Sequence, residues 1–151
     1  MKNIFDSEIT NEVIERINQL TPSSQPSWGK MNVSEMLAHC CVSYEYVFNQ
    51  NKFSKPKGIK KLLLKMIVKG VVVSDKPYKK NSRTAPDFLI TEEKEFDTEK
   101  KRLIDFLNQT QELGENHFNN KESHSFGPLT SNEWNNMFYK HLDHHLTQFN
   151  V

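Results

Sequence analysis

Apolar residues in this chain recur every three or four positions over long stretches and never alternate over a sustained run. That period belongs to helices, so an all-α fold is expected and a sheet-based one is not. The first helix is expected over residues 7–20, with Ile9, Val13, Ile14, Ile17 and Leu20 as its apolar stripe. Pro22 and Pro26 block continuation, so residues 21–30 read as loop. Asn32 suits the N-cap of a second helix running to about Asn49, with Glu35 three residues on in capping-box position.

A shorter apolar and basic segment follows over 59–73. Residues 74–90 contain Pro77, Asn81, Ser82 and Pro86 and read as irregular. A long charged helix is expected over about 91–113, burying Phe96, Leu103, Phe106, Leu107 and Leu113, and Gly114 ends it in the C-cap manner. Residues 114–129 again read as irregular. Thr130 or Ser131, with Glu133 or Glu122 nearby, opens a last helix that runs nearly to Val151, and Ser131 is the expected cap. These elements predict a four-helix bundle with one extra short helix, in a single domain over residues 1–151. The two irregular connections are long for such a bundle and are expected to roof one end of it.

Composition narrows the function classes. Charged residues make up 26% of the chain and hydrophobic ones 36%, as in a folded globular protein. A formal net charge of +1 argues against whole-molecule electrostatic binding to nucleic acid. No stretch approaches the roughly 18 consecutive apolar residues of a membrane span. The start, Met1 to Asp6, lacks the apolar run of a signal peptide, so the expected location is the cytoplasm. Cys40 and Cys41 are neighbours that point about 100° apart on a helix, so they cannot bridge and read as small apolar fillers.

The last helix holds the informative pattern. With His141 at zero on a helical wheel, Trp134 falls near about 20°, His145 near about 40°, Phe138 near about 60° and Gln148 near about −20°, while Lys140 and Asp143 fall on the far side. Two imidazoles therefore occupy the face that must enter the core, and buried polar groups need partners. Side chains four apart can converge on one ion, neutral imidazole is a common metal ligand, and a third ligand would leave an open coordination position. His39, in Met36-Leu37-Ala38-His39-Cys40, is the natural third ligand. The competing reading is that each histidine is a core residue bonded to a backbone carbonyl. His144 falls near about −60°, at the rim, as a neighbouring or surface residue.

The C-terminal stretch, Trp134 followed by His141-Leu142-Asp143-His144-His145-Leu146-Thr147-Gln148-Phe149, resembles the closing helix of the DinB/YfiT-like superfamily, and more closely its DUF1569 branch. Three further stretches carry the likeness: Trp28-Gly29-Lys30-Met31 leading to His39, Asn81 to Pro86, and His124-Ser125-Phe126-Gly127-Pro128-Leu129-Thr130. The resemblance implies a four-helix bundle that binds a metal through His39, His141 and His145, with His144 outside the set. Members of the wider superfamily include transferases that use low-molecular-weight thiols such as bacillithiol or mycothiol, and related isomerases. By that analogy the reaction is thiol S-transfer to a small molecule; the ion is expected to be Zn²⁺ or Ni²⁺, and water activated on it would give hydrolysis instead. Glu35, one turn before His39, is a candidate base, or only a first-turn carboxylate favoured by the helix dipole. His124 is a candidate pocket residue from the roofing loop, or a helix cap.

Residues 52–83 hold eleven of the twenty basic residues and one acid, Asp75. Within them, 59–73 reads as a cap helix packed on the bundle with its lysines in water, or as a module for anionic surfaces. The basic charge would also draw in an anionic thiol. A metal-stabilised scaffold without catalysis, dimeric through its helical faces, is the remaining alternative.

Overall fold

Capping decides where two of the principal helices begin. α2 (Val33–Phe48) opens on a complete capping box, with the Asn32 side chain accepting from the Glu35 amide and the Glu35 carboxylate accepting from the Asn32 amide, each at 2.9 Å. α6 (Ser131–Gln148) opens the same way from Thr130, paired with Glu133, rather than from Ser131. Ser131 instead donates to Glu115. This computed structural model describes residues 1–151 and is mostly helical with one small two-stranded sheet. α1 spans Ser7–Gln19. The long charged helix, Phe96–Phe118, begins later than expected, where the Glu95 carboxylate caps the amides of Asp97 and Thr98. Gly114 interrupts it with φ 71°, and a last turn carries on to Phe118.

Between α2 and that helix, the chain from Gly58 to Val73 is one helical stretch: α3 (Gly58–Leu63), a π-helical turn (Leu64–Val68) and α4 (Lys69–Val73). Phe96–Phe118 is therefore α5. It packs along α1 and α2, and α6 lies against α1, α2 and α5. Val13 and Ile17, Met36, Leu37 and Tyr44, Leu103 and Leu107, and Trp134, Phe138 and Leu142 supply the core from these four helices. Tyr44 stacks on Phe138 with ring centroids 4.8 Å apart. Each such side chain stabilises the fold by about 1.5–3 kcal/mol through burial. Cys40 and Cys41 are free and buried, and burial pushes the Cys41 thiol up to about 12, which leaves it unreactive.

Further local expectations change, and Leu113, expected on the buried side of α5, is exposed. Residues 114–129, expected to be irregular, contain a hairpin of β1 (Lys121–Ser123) and β2 (Gly127–Leu129), antiparallel with Ser123 opposite Gly127. Three-residue strands are too short to show alternation in sequence. Lys140, expected on the far side of α6, is buried and donates to the carbonyl oxygens of Val71 and Ser74, while Asn136 donates to that of Val73. These bonds satisfy carbonyls at the end of α4 that have no partner within the helix. The 58–73 stretch packs through Leu64, Val68, Val72 and Val73 alone, and its other apolar side chains face solvent. No helix is long and apolar enough to cross a membrane.

Candidate metal centre

Core packing of α2 against α6 brings the ring of His39 to those of His141 and His145. Ring centroids are 4.9 Å apart for His39–His141, 4.6 Å for His39–His145 and 4.8 Å for His141–His145. One nitrogen from each ring lies within 4.8 Å of the other two. His39 and His145 are buried, while His141 retains partial exposure as a residue.

Each ring is held from behind by its Nδ1. His39 Nδ1 lies 2.9 Å from the Phe88 carbonyl oxygen, which can only accept, so this nitrogen carries the proton and Nε2 presents its lone pair. His145 Nδ1 lies 2.8 Å from Gln148 Oε1. The amide nitrogen of the same glutamine donates to the Trp28 carbonyl, which fixes the amide orientation and makes His145 Nδ1 the donor. His141 Nδ1 lies 3.0 Å from Ser43 Oγ, a hydroxyl able to donate or accept. That freedom lets His141 Nε2 carry a proton and donate to His39 Nε2, 2.9 Å away, or turn its own lone pair inward. Second partners of this kind are what orients histidine ligands in metal sites.

Burial holds all three rings neutral. It pushes His145 down to about 3 and His141 well below the ordinary imidazole value, with the neighbouring rings adding to both shifts. His39 is lowered by burial, against the opposing effect of the Phe88 carbonyl. Neutral imidazoles are the form that ligates. Metal–nitrogen bonds of about 2.0–2.1 Å in a tetrahedral site separate ligand nitrogens by about 3.3 Å. The spacing of the cluster brackets that value, so the donor set fits a divalent ion in both chemistry and separation.

A family model described as a protein of unknown function (DUF1569) matches residues 3–151. The chain belongs to the DUF1569 family. No curated protein and no solved structure matches it.

The remaining expected site residues of this DUF1569 chain lie apart from the triad. Glu35 sits one turn before His39, but its carboxylate is engaged in the α2 capping box. It faces a polar cavity with Glu92, Glu93 and Lys94. His124 stacks flat on Tyr46 with centroids 4.0 Å apart and bonds Ser125 through Nδ1. It connects to His39 only through two further rings, Tyr46 and Phe88. His144 is half-buried at the rim, 5.0 Å from His145 by ring centroids and edge-on to Trp28 and Tyr78.

Sequence reasoning missed the residues that orient the rings: Ser43, Gln148 in that role, and the carbonyls of Trp28 and Phe88. Gly29 belongs with them. It has φ +83°, and a Cβ there would lie 2.6 Å from Gln148 Nε2, so only glycine lets the amide reach the Trp28 carbonyl. The signal for Ser43 and Gln148 was spacing, because each lies one turn beyond a histidine of the cluster on the same helix face. The carbonyl partners come from loops, and no side-chain pattern marks them.

Proposed function

We propose that this DUF1569 protein binds one divalent ion, Zn²⁺ or Ni²⁺, through His39, His141 and His145, and serves as a metal-dependent thiol S-transferase or hydrolase with a DinB/YfiT-like four-helix bundle. The observation that carries the reading is the anchoring of Nδ1 on every ring, which directs ligand nitrogens from two helices towards one point. Three imidazoles leave a coordination position open, the arrangement of catalytic rather than closed structural sites. When bound, such an ion supplies Lewis acidity that lowers the pKa of a coordinated thiol or water.

The chain's own residues supply orientation and selection. A cleft of about 460 Å³, with walls that include Trp28, Tyr78, Lys80, Lys140 and His144 but none of the triad rings, is separated from the triad by Tyr78 and His144. The Lys80 ammonium sits 4.0 Å from the centre of the Trp28 ring and that of Lys140 4.6 Å from the Tyr78 ring. Aromatic walls with the Lys80 cation suit a small anionic thiol. His144 is lowered by burial, so it is neutral near pH 7 and competent to accept a proton at the cleft wall. Glu35 is better read as positioning the helix that carries His39, and His124 as supporting Tyr46, than as proton carriers.

Loading the protein with one equivalent of Zn²⁺ or Ni²⁺ and assaying small thiols against a generic alkylating electrophile tests this reading. Metal-dependent thiol consumption lost in His141→Ala is expected. A non-catalytic scaffold, favoured by the deep burial of His39 and His145, predicts instead that the ion raises Tm while no thiol is consumed.

A further inference from the structure

The Gly58–Val73 stretch combines two features that ordinary surface helices keep apart. Its outer side carries Ile59, Leu62, Leu63, Met66, Ile67 and Val71, each 50–78% exposed. Single exposed apolar residues are unremarkable, but six on one helical stretch form a patch of the kind that marks an interaction surface. The stretch is also firmly held. Leu64, Val68, Val72 and Val73 pack on the core, Lys69 pairs with Glu133 at 2.8 Å and Lys61 with Glu122 at 3.5 Å. Asn136 and Lys140 bind the carbonyls at its end. The exposed face is therefore fixed to the body of the protein, one residue from His141 in its anchoring lysine, and does not arise from a loose segment.

The surrounding charge indicates what covers it. On and just before the stretch, the exposed Lys57, Lys60 and Lys65 form no ion pair, while Lys61 and Lys69 are taken up by Glu122 and Glu133. A second copy of the chain would bring this cationic surround against itself, which disfavours self-association. An anionic bilayer meets both requirements at once, since its acyl boundary takes apolar side chains and its headgroups take lysines.

We propose that the outer face of the Gly58–Val73 helix docks this protein onto an anionic lipid bilayer, with Ile59, Leu62, Leu63, Met66, Ile67 and Val71 at the headgroup boundary and the unpaired lysines against lipid phosphates. The surface is distinct from the histidine cluster and does not depend on metal binding. Docking is peripheral and reversible, because the stretch is short and ends anchored to α6.

Sedimentation of the full chain with vesicles tests the proposal. The protein binds vesicles of phosphatidylcholine and phosphatidylglycerol at low salt, and binds phosphatidylcholine alone at least about ten-fold more weakly. Met66→Ser/Ile67→Ser, at positions that touch little of the core, keeps the wild-type Tm and weakens vesicle binding on the order of 100-fold. Lys57→Gln/Lys60→Gln/Lys65→Gln weakens it by roughly five-fold per charge. In Met66→Trp, fluorescence emission shifts to the blue when anionic vesicles are added. Chelator changes none of these results. Failure of the wild type to sediment with anionic vesicles at low salt overturns the proposal, as does equal binding by the Met66→Ser/Ile67→Ser variant. Concentration-dependent self-association abolished by that variant also overturns it and assigns the face to a second copy.

Discussion

Around His141 the protein places polar rings inside and supplies the outward Nδ1 of each with a partner, whereas along Gly58–Val73 it places apolar side chains outside and leaves six of them in solvent. Both arrangements reverse the usual distribution of polarity, and each has a local stabilising cause. The histidines are tolerated inside because a carbonyl, a hydroxyl and a glutamine amide replace water. The outer leucines and isoleucines are tolerated because the opposite side of the same stretch is packed, paired and capped. The contrast separates residues that sustain the fold from residues that are free to serve recognition.

The largest predicted effect tests that separation. Phe138, fully buried and stacked on Tyr44, should cost about 3–5 kcal/mol of stability as Phe138→Ala. Met66→Ser, the same kind of apolar loss on the exposed helix, should change stability by less than about 0.5 kcal/mol. Chemical denaturation of the two variants in parallel measures the difference. Similar losses would mean that the outer face is covered in the folded protein.

A smaller effect concerns ring orientation. Gln148→Ala removes the acceptor that holds His145 Nδ1 and should weaken metal binding about 10–100-fold, with a stability loss of about 1–3 kcal/mol. Gly29→Ala should reproduce the affinity loss from outside the site, because its Cβ displaces the same amide. Competition titration with a metal-binding dye reports both. Unchanged affinity in the two variants would show that the rings need no such support.

The third effect is a pH dependence with a fixed sign. The triad rings have folded-state pKa values below the unfolded imidazole value near 6.5, so the unfolded chain takes up protons first on acidification. The stability that these neutral rings confer is fully present above about pH 6.5 and is lost as pH falls from there towards the folded value, about 3 for His145. The expected slope is up to about 1.4 kcal/mol per pH unit for each ring that stays neutral. In metal-free protein, Tm should fall over this window, and His39→Asn/His141→Asn/His145→Asn should flatten the profile. The exposed helix contributes nothing here, so Met66→Ser should leave the slope intact.

Much of this arrangement was legible in the sequence. The period of Val13, Ile17, Phe106, Leu107, Phe138 and Leu142 marks the buried faces of long helices, and the spacing of His141 and His145 puts both rings on one such face. The Asn32–Glu35 capping box was readable because it is local. The Thr130–Glu133 box has the same three-residue spacing, which Ser131, followed three residues on by Trp134, lacks. Two features were not legible. Lys140 looks solvated until α4 covers its flank of α6, a tertiary event with no local pattern. On 59–73 the apolar residues surround the helix too evenly to reveal which of them face the core, and the π-helical turn shifts the register midway. The supports of the triad were legible only where side chains provide them.

The proposed function requires imidazoles from α2 and α6 to share one divalent ion. Elemental analysis after equilibrium dialysis against limiting Zn²⁺ or Ni²⁺ tests it most directly, comparing the wild type with His39→Ala and with His141→Ala/His145→Ala at matched folding by circular dichroism. About one ion per chain in the wild type and almost none in either variant is the predicted outcome. Equal metal content in all three proteins would contradict the claim and leave the three rings as a satisfied polar core.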